Sequence, residues 1–252
     1  MIIISPSKNL NLSNENFSNL KSKPEFQDKI KLVTKSIKSL KKEELKSLMN
    51  ISDKLVDLNH QRFNEFDKPQ NILKSAALMF SGDTFNGLSI RDMNTESLDY
   101  AQSNLRILSG LYGVLKPFDQ IQPYRLEMGT DTSKLMNLNL YEFWGKTLTD
   151  YFNNQLKNSD NNLLYNLSSK EYISVLSSDN INAEIINFDF KKKVNTELKN
   201  IGMSIKKMRG LMAKFIIEKK IEKLEHLEKF QWNGYSFKEY IPETQTFLYV
   251  SQ

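Results

Sequence analysis

Cysteine is absent from the 252-residue chain. That excludes disulfides, thiolate nucleophiles, thiol redox sensing and cysteine-held zinc or iron–sulfur centres. Histidine is nearly absent: His60 and His226 lie far apart and have no carboxylate-spaced partner motif. No histidine metal site is therefore expected, and no nucleophile elbow marks a Ser-His-Asp arrangement. A carboxylate site for a hard cation stays open on composition, but no metal ligand and no cofactor is assigned. Arginine is scarce: Arg62, Arg91, Arg106, Arg125 and Arg209 are the whole set. Long apolar runs are missing too, since none approaches the roughly 20 residues that span a bilayer. The opening Ile2-Ile3-Ile4 is too short for a signal-peptide core and follows no basic segment. It reads as a buried first strand of a cytoplasmic protein with no membrane partner.

What is present is an ordinary globular composition, 39% hydrophobic and 26% charged, so the chain folds rather than staying disordered. There is no internal repeat and no linker. Residues 1–252 are read as one mixed α/β domain, a central sheet flanked by helices. Net charge is +5 and the pI is about 9.0, which favours an anionic partner. Lysine supplies most of that charge together with abundant Asn and Ile, the composition of an AT-rich genome. The few arginines are the sharper signal, because their planar fork binds phosphate or carboxylate in a way lysine cannot copy.

Taken in order, the Ile2–Ile4 strand ends in Ser5-Pro6-Ser7-Lys8. This is the sheet edge where ligands bind in sheets flanked by helices, and Lys8 is a candidate anion contact. A polar loop is expected over 11–24. Apolar spacing predicts a helix carrying Phe26, Ile30, Val33, Ile37 and Leu40, a second over Glu43–Met49, and a third after Ser52 with Leu55, Leu58, Phe63 and Phe66 inward. Ala76–Phe80 reads as a buried strand. It leads into a loop punctuated by Gly82 and Gly87, in which Asp83 can orient a lysine or bind a cation, or which is plain turn chemistry. Asn94 or Thr95 caps a helix whose stripe is Leu98, Ala101, Leu105 and Leu108.

Gly110 then falls at a C′ position, Leu111-Tyr112 fill a turn, Gly113 permits close approach, and Val114-Leu115 start a short helix that Pro117 stops. This reads as a helix–hairpin–helix-like element, or as a plain turn between packed helices. In the first reading Gly110, Tyr112, Gly113 and Lys116 hold a phosphate. In Tyr124-Arg125-Leu126-Glu127 an extended backbone puts Arg125 and Glu127 on one side, as a charged wall or a surface ion pair. A helix opens at Leu140, a turn follows over 158–162, and strands follow at Leu163–Leu167 and 183–190 with a lysine hairpin tip at 191–193. Helix 203–217 carries Lys206, Lys207 and Arg209 near its start. Those charges have the wrong sign for the helix dipole unless an anion binds there. A short helix over 222–230 and strands over 235–250 close the chain.

Seven blocks together carry a resemblance: Ile4-Ser5-Pro6-Ser7-Lys8, Gly82-Asp83-Thr84-Phe85-Asn86-Gly87-Leu88, Leu108-Ser109-Gly110-Leu111-Tyr112-Gly113-Val114-Leu115, Pro123-Tyr124-Arg125-Leu126-Glu127-Met128-Gly129, Tyr141-Glu142-Phe143-Trp144-Gly145, Asn166-Leu167-Ser168-Ser169-Lys170-Glu171-Tyr172 and Arg209-Gly210-Leu211-Met212. In order and spacing the chain resembles the bacterial YaaA family of peroxide-stress proteins. Asn9 stands where that family usually has threonine. The resemblance implies a YaaA-type fold, a positively charged cleft, a helix–hairpin–helix-like element, a cytoplasmic role in limiting iron-driven damage, and DNA binding.

Two functions follow as expectations. The first is non-sequence-specific binding of double-stranded or distorted DNA through Lys8, the Gly110–Gly113 turn, Lys116, Arg125, Lys206, Lys207 and Arg209. The second is an enzyme acting on a small anionic or nucleotide-like substrate, with Lys8, Asp83, Glu127 and Lys207 as its chemical groups. A deep cavity enclosing carboxylates with cations favours the second; an open basic groove favours the first.

Overall fold

A computed structural model of the chain describes residues 1–13, 20–157, 162–176 and 180–251. The expected loop over 14–19 and the expected turn over 158–161 lie outside these residues.

The centre is a mixed sheet of nine strands. They are β1 (Ile2–Ile4), β2 (Leu105–Ser109), β3 (Gly113–Leu115), β4 (Leu163–Leu167), β5 (Glu184–Val194), β6 (Glu197–Lys199), β7 (Gln231–Trp232), β8 (Tyr235–Ile241) and β9 (Thr246–Ser251). The spatial order is β7-β8-β9-β5-β4-β1-β2-β3, with β6 paired to β5. Neighbours from β2 through β1, β4 and β5 to β9 run parallel. The β2–β3, β5–β6, β7–β8 and β8–β9 pairs are antiparallel.

All three β1 isoleucines are buried, because a central parallel strand is covered on both faces and needs no polar side. Leaving β1, the chain pairs next as β2 on one side and later as β4 on the other. The carboxyl ends of β1 and β4 therefore form a topological switch point, the place where a crevice opens in such sheets.

Helices cover the sheet. Gln27–Lys38 buries Ile30, Val33 and Ile37 as the spacing predicts. In Asp53–Glu65 the buried face is Val56, Asn59 and Phe63, while Leu58 is 40% exposed, so that stripe is rotated from the expected one. Leu140–Leu156 starts in a reciprocal cap. The Asn139 side chain accepts from the Glu142 N–H at 3.0 Å, and Glu142 accepts from the Asn139 N–H at 2.9 Å, satisfying two donors that a helix start leaves free. Gly202–Lys219 packs against β1, β4 and β5 through Met208, Leu211, Met212 and Ile216.

The structure corrects several local readings. The helix capped by Asn94 stops at Asn104, and Leu105–Ser109 is a fully buried strand. With Gly113–Leu115 it forms a strand–turn–strand hairpin, not a helix–hairpin–helix. Gly113, with φ +71°, takes the left-handed conformation that Gly110 was expected to take. Ala76–Met79 is one buried helical turn. Asp83–Leu88 is helical. Lys191–Lys193 sits inside β5, and the chain reverses after Val194. The first two are short apolar runs, for which periodicity does not separate strand from buried helix.

Candidate functional site

A cavity of about 540 Å³ opens at the switch point. Five segments line it: Ser5–Asn9 after β1, Gly82–Phe85, Tyr124–Glu127, the Ser169–Tyr172 stretch after β4, and Lys206 with Arg209. The loops after β1 and β4 are tied together, because the Ser169 N–H donates to Ser5 Oγ at 2.8 Å. Ser7 Oγ donates to the carbonyl of Ser81, bringing in the third segment.

Glycines set how closely the remaining walls approach. A Cβ on Gly210 would stand 1.9 Å from the Thr84 carbonyl oxygen, and one on Gly87 would stand 2.3 Å from that of Lys207. Only bare backbones let Asp83–Leu88 lie this near to Gly202–Lys219, and this contact puts Asp83 and Thr84 across the cavity from Lys206 and Arg209. Gly110 does the same for the opposite wall. Its Cβ would stand 2.5 Å from the Leu126 carbonyl oxygen, so the hairpin turn is the support on which Tyr124–Glu127 rests. The turn is clamped from behind by Trp144, whose indole N–H donates to the Gly110 carbonyl at 2.9 Å.

Glu127 is the charged hub. Its Oε1 accepts from Lys8 Nζ at 3.1 Å, from Arg125 Nε at 3.1 Å and from Arg125 Nη2 at 2.8 Å. Burial pushes the Glu127 carboxyl up. The bonds and charges of Arg125 and Lys8 outweigh burial and hold it below its usual range. Behind Arg125 stands Arg62, whose guanidinium is lowered by burial and then by repulsion from Arg125. One carboxylate is thus set among three cations.

Arg209 is lowered chiefly by burial, with the charge of Asp189 opposing that shift. Its Nε is buried and has no hydrogen-bond partner among the described residues. Glu171 Oε1 accepts from the Gly129 N–H at 3.0 Å. Burial pushes the phenols of Tyr124 and Tyr172 up, so both stay protonated at neutral pH. Tyr124 shares a 2.6 Å hydrogen bond with Ser109 Oγ. The Asp83 side chain forms no hydrogen bond or ion pair among the described residues.

Because the folded-state pKa of Glu127 is depressed, its ion pairs contribute stability above the ordinary carboxyl value of 4.5. That contribution is lost as pH falls through the depressed value. A Glu127→Gln protein should therefore be less stable than wild type near pH 7, with the gap closing in acid. Urea unfolding at several pH values between about 3 and 7 reads this, and a gap that widened in acid would contradict the assignment.

Of the residues singled out in the sequence, Lys8, Asp83, Arg125, Glu127, Lys206 and Arg209 share this cavity. Lys207, the neighbour of Lys206, is exposed and outside the lining. Gly110, Tyr112 and Gly113 are buried, and none of them lines the cavity. Tyr112 is 3% exposed, and its hydroxyl accepts from the Gln122 N–H at 3.0 Å. Lys116 also stands outside the lining, its N–H held by Asp119 Oδ2 at 2.8 Å. The Ser5–Ser169 junction and the Gly87–Gly210 crossing were missed from sequence. The only available signal for the crossing was two glycines inside segments otherwise suited to helix. Among the described residues no group of three or more His, Asp or Glu side chains is placed to hold a metal ion. No helix among them is long and apolar enough to cross a membrane.

Fold and site together define a single α/β unit with a cavity lined by charges of both signs at the carboxyl ends of parallel strands. Residues 1–241 match the family model described as peroxide stress protein YaaA, and the chain belongs to that family. It is 41% identical over 241 residues to the UPF0246 protein IL2146 of Idiomarina loihiensis, covering 95% of this chain and 93% of the relative. It is 42% identical to the UPF0246 protein PSHAa2558 of Pseudoalteromonas translucida, covering 93% and 92%. It is 37% identical to the UPF0246 protein lpg1366 of Legionella pneumophila, covering 99% and 98%.

Proposed function

We propose that the chain acts in peroxide stress by binding, and turning over, a small phosphate- or carboxylate-bearing molecule in this cavity. The observation that carries the reading is the lining itself: four cations, Lys8, Arg125, Lys206 and Arg209, meet three carboxylates at the carboxyl ends of β1 and β4. A small anion placed there gains charge-assisted hydrogen bonds from groups already held in position. The protonated Tyr124 and Tyr172 line the cavity wall.

Within this reading Glu127 is an electrostatic group, since its two cations keep it ionised. Asp83, unpaired and lining the cavity, is the carboxylate placed to exchange a proton. The limiting of iron-driven damage is then downstream of the ligand. Direct chelation finds no support in the donor set, which has no thiolate and, among the described residues, no preformed cluster of carboxylates.

The test is calorimetric titration with inorganic phosphate at about 50 mM salt, where electrostatic binding is strong. Wild type should bind. Arg209→Gln should bind about 10- to 100-fold more weakly, the worth of a hydrogen bond to a charged group. Absence of binding by wild type, or equal affinity of the variant, would reject the reading.

Duplex DNA is the second reading. The observation in its favour is that Lys206 and Lys207 are exposed and form no ion pair among the described residues. It requires an affinity for duplex that falls steeply with salt and falls again in Lys206→Ala/Lys207→Ala. If phosphate competes with duplex only at concentrations far above its own cavity affinity, the two sites are separate.

A further inference from the structure

Glu127 is bonded on one side only. All three of its bonds, from Lys8 Nζ and from Arg125 Nε and Nη2, fall on Oε1. Its Oε2 has no hydrogen-bond partner among the described residues, and the side chain keeps 17% exposure where it lines the cavity. An ionised carboxylate can only accept, so the free oxygen requires an O–H or N–H donor from the ligand. Arg125 shows the complementary lack, because its Nη1 has no hydrogen-bond partner among the described residues while its other two nitrogens are committed to Glu127. Arg209 and Lys206 add two cationic side chains to the same lining.

These open positions describe a ligand with two kinds of group. Arg209, Lys206 and Arg125 Nη1 need acceptors carrying negative charge. Glu127 Oε2 needs a donor, and a bare anion cannot supply one and is repelled by it. The donor is also constrained in charge. Lys8 and Arg125 touch the same carboxylate, and Arg62 lies close enough to Arg125 to be lowered by its charge. An ammonium group would be repelled by these cations, whereas a neutral hydroxyl would not. The cavity volume of about 540 Å³ lies within the roughly 300–1,000 Å³ range of small-molecule sites.

We infer that the ligand is a hydroxyl-bearing phosphate ester of the sugar-phosphate or nucleoside-phosphate class, and that Glu127 selects it by accepting a hydrogen bond from a ligand hydroxyl. This inference rests on the anion-binding reading above. Hydrogen bonds to charged groups in such positions are worth about 1.5–3 kcal/mol, so the hydroxyl should change affinity by about tenfold or more.

Calorimetric titration of the full chain with four probes tests it: inorganic phosphate, n-propyl phosphate, glycerol 3-phosphate and ribose 5-phosphate. Glycerol 3-phosphate and ribose 5-phosphate should each bind at least about tenfold more tightly than n-propyl phosphate, which carries the same charge without hydroxyls. In Glu127→Gln, a neutral acceptor should reduce that ratio to about threefold. Equal affinity of wild type for propyl and glycerol phosphates would overturn the inference and leave the anion reading standing. Failure of every phosphate to bind would overturn both. A tenfold ratio persisting in Glu127→Gln would assign the selection to another group and so overturn the role of Glu127. The comparison among ligands uses wild type alone, so it remains decisive if the variant does not fold.

Discussion

Replacing Gly210 by alanine should destabilise this protein by about 3 kcal/mol or more, at the upper end of what overpacking a closed contact costs. The usual effect has the opposite sign, because alanine in a helix interior is favoured over glycine by about 1 kcal/mol. Gly210 reverses it because the added Cβ meets backbone on two sides, 1.9 Å from the Thr84 carbonyl oxygen and 2.7 Å from the Leu88 nitrogen. A clash with a flexible side-chain tip could relax by rotation. Backbone atoms inside Asp83–Leu88 move only if that helix moves, and it is itself held by buried Phe85 and Leu88. For a chain of this size about 3 kcal/mol corresponds to a melting temperature lower by roughly 6–12 °C. Gly202→Ala is the control. It lies at the start of the same helix with nothing within 4 Å of its added Cβ, and it should be neutral or slightly stabilising. Thermal and urea unfolding of both variants decide the matter; a Gly210→Ala protein as stable as wild type would mean the two helices are not in backbone contact.

The second large effect is on binding. Gly110→Ala should weaken phosphate binding by at least about tenfold, on the scale expected when a shift of about 1 Å misplaces a binding group, and should cost about 1–3 kcal/mol of stability. The added Cβ stands 2.5 Å from the Leu126 carbonyl oxygen and 3.0 Å from the Glu127 carbonyl carbon. Relief requires Tyr124–Glu127 to move away from the hairpin, taking Arg125 and Glu127 with it. Gly145→Ala supplies the comparison. Its nearest contact is ordinary, 3.4 Å from the Val175 carbonyl oxygen, so binding should be unchanged. If Gly110→Ala binds phosphate like wild type, the hairpin turn does not position the cavity wall.

Gly110 also shows where sequence reading succeeds and where it stops. The glycines of its turn mark a place needing small residues, but the sequence leaves open whether the turn holds a phosphate or only packs, and the close approach to Leu126 and Glu127 is a packing contact. The surrounding strands were taken for helices because Leu105-Arg106-Ile107-Leu108 continues the apolar spacing of Thr95–Asn104, and an arginine inside such a run looks like the wet face of a helix. Arg106 is instead 2% exposed. It donates to Tyr151 Oη at 2.7 Å and to the Leu105 carbonyl at 2.8 Å. Nothing local announces those acceptors, one of which comes from 45 residues away.

Four of the charged candidates, Lys8, Arg125, Glu127 and Arg209, occur in short motif blocks, and all four line the cavity. Lys207 is a candidate on the same grounds as Lys206. On a helix, however, consecutive side chains point about 100° apart, and only Lys206 of the pair reaches the lining.

The sequence by itself determined the chemistry this chain lacks: thiolates, a histidine metal site and a long apolar span are properties of composition. It also determined that Ile2–Ile4 is an interior strand and Gln27–Lys38 an amphipathic helix, because burial there follows a short-range period. Tertiary structure decided that Lys8, Asp83, Arg125 and Arg209, spread over two hundred positions, face one cavity. That convergence depends on the strand order around β1 and on backbone contacts at Gly87, Gly110 and Gly210. These are long-range steric facts, and no local periodicity records them.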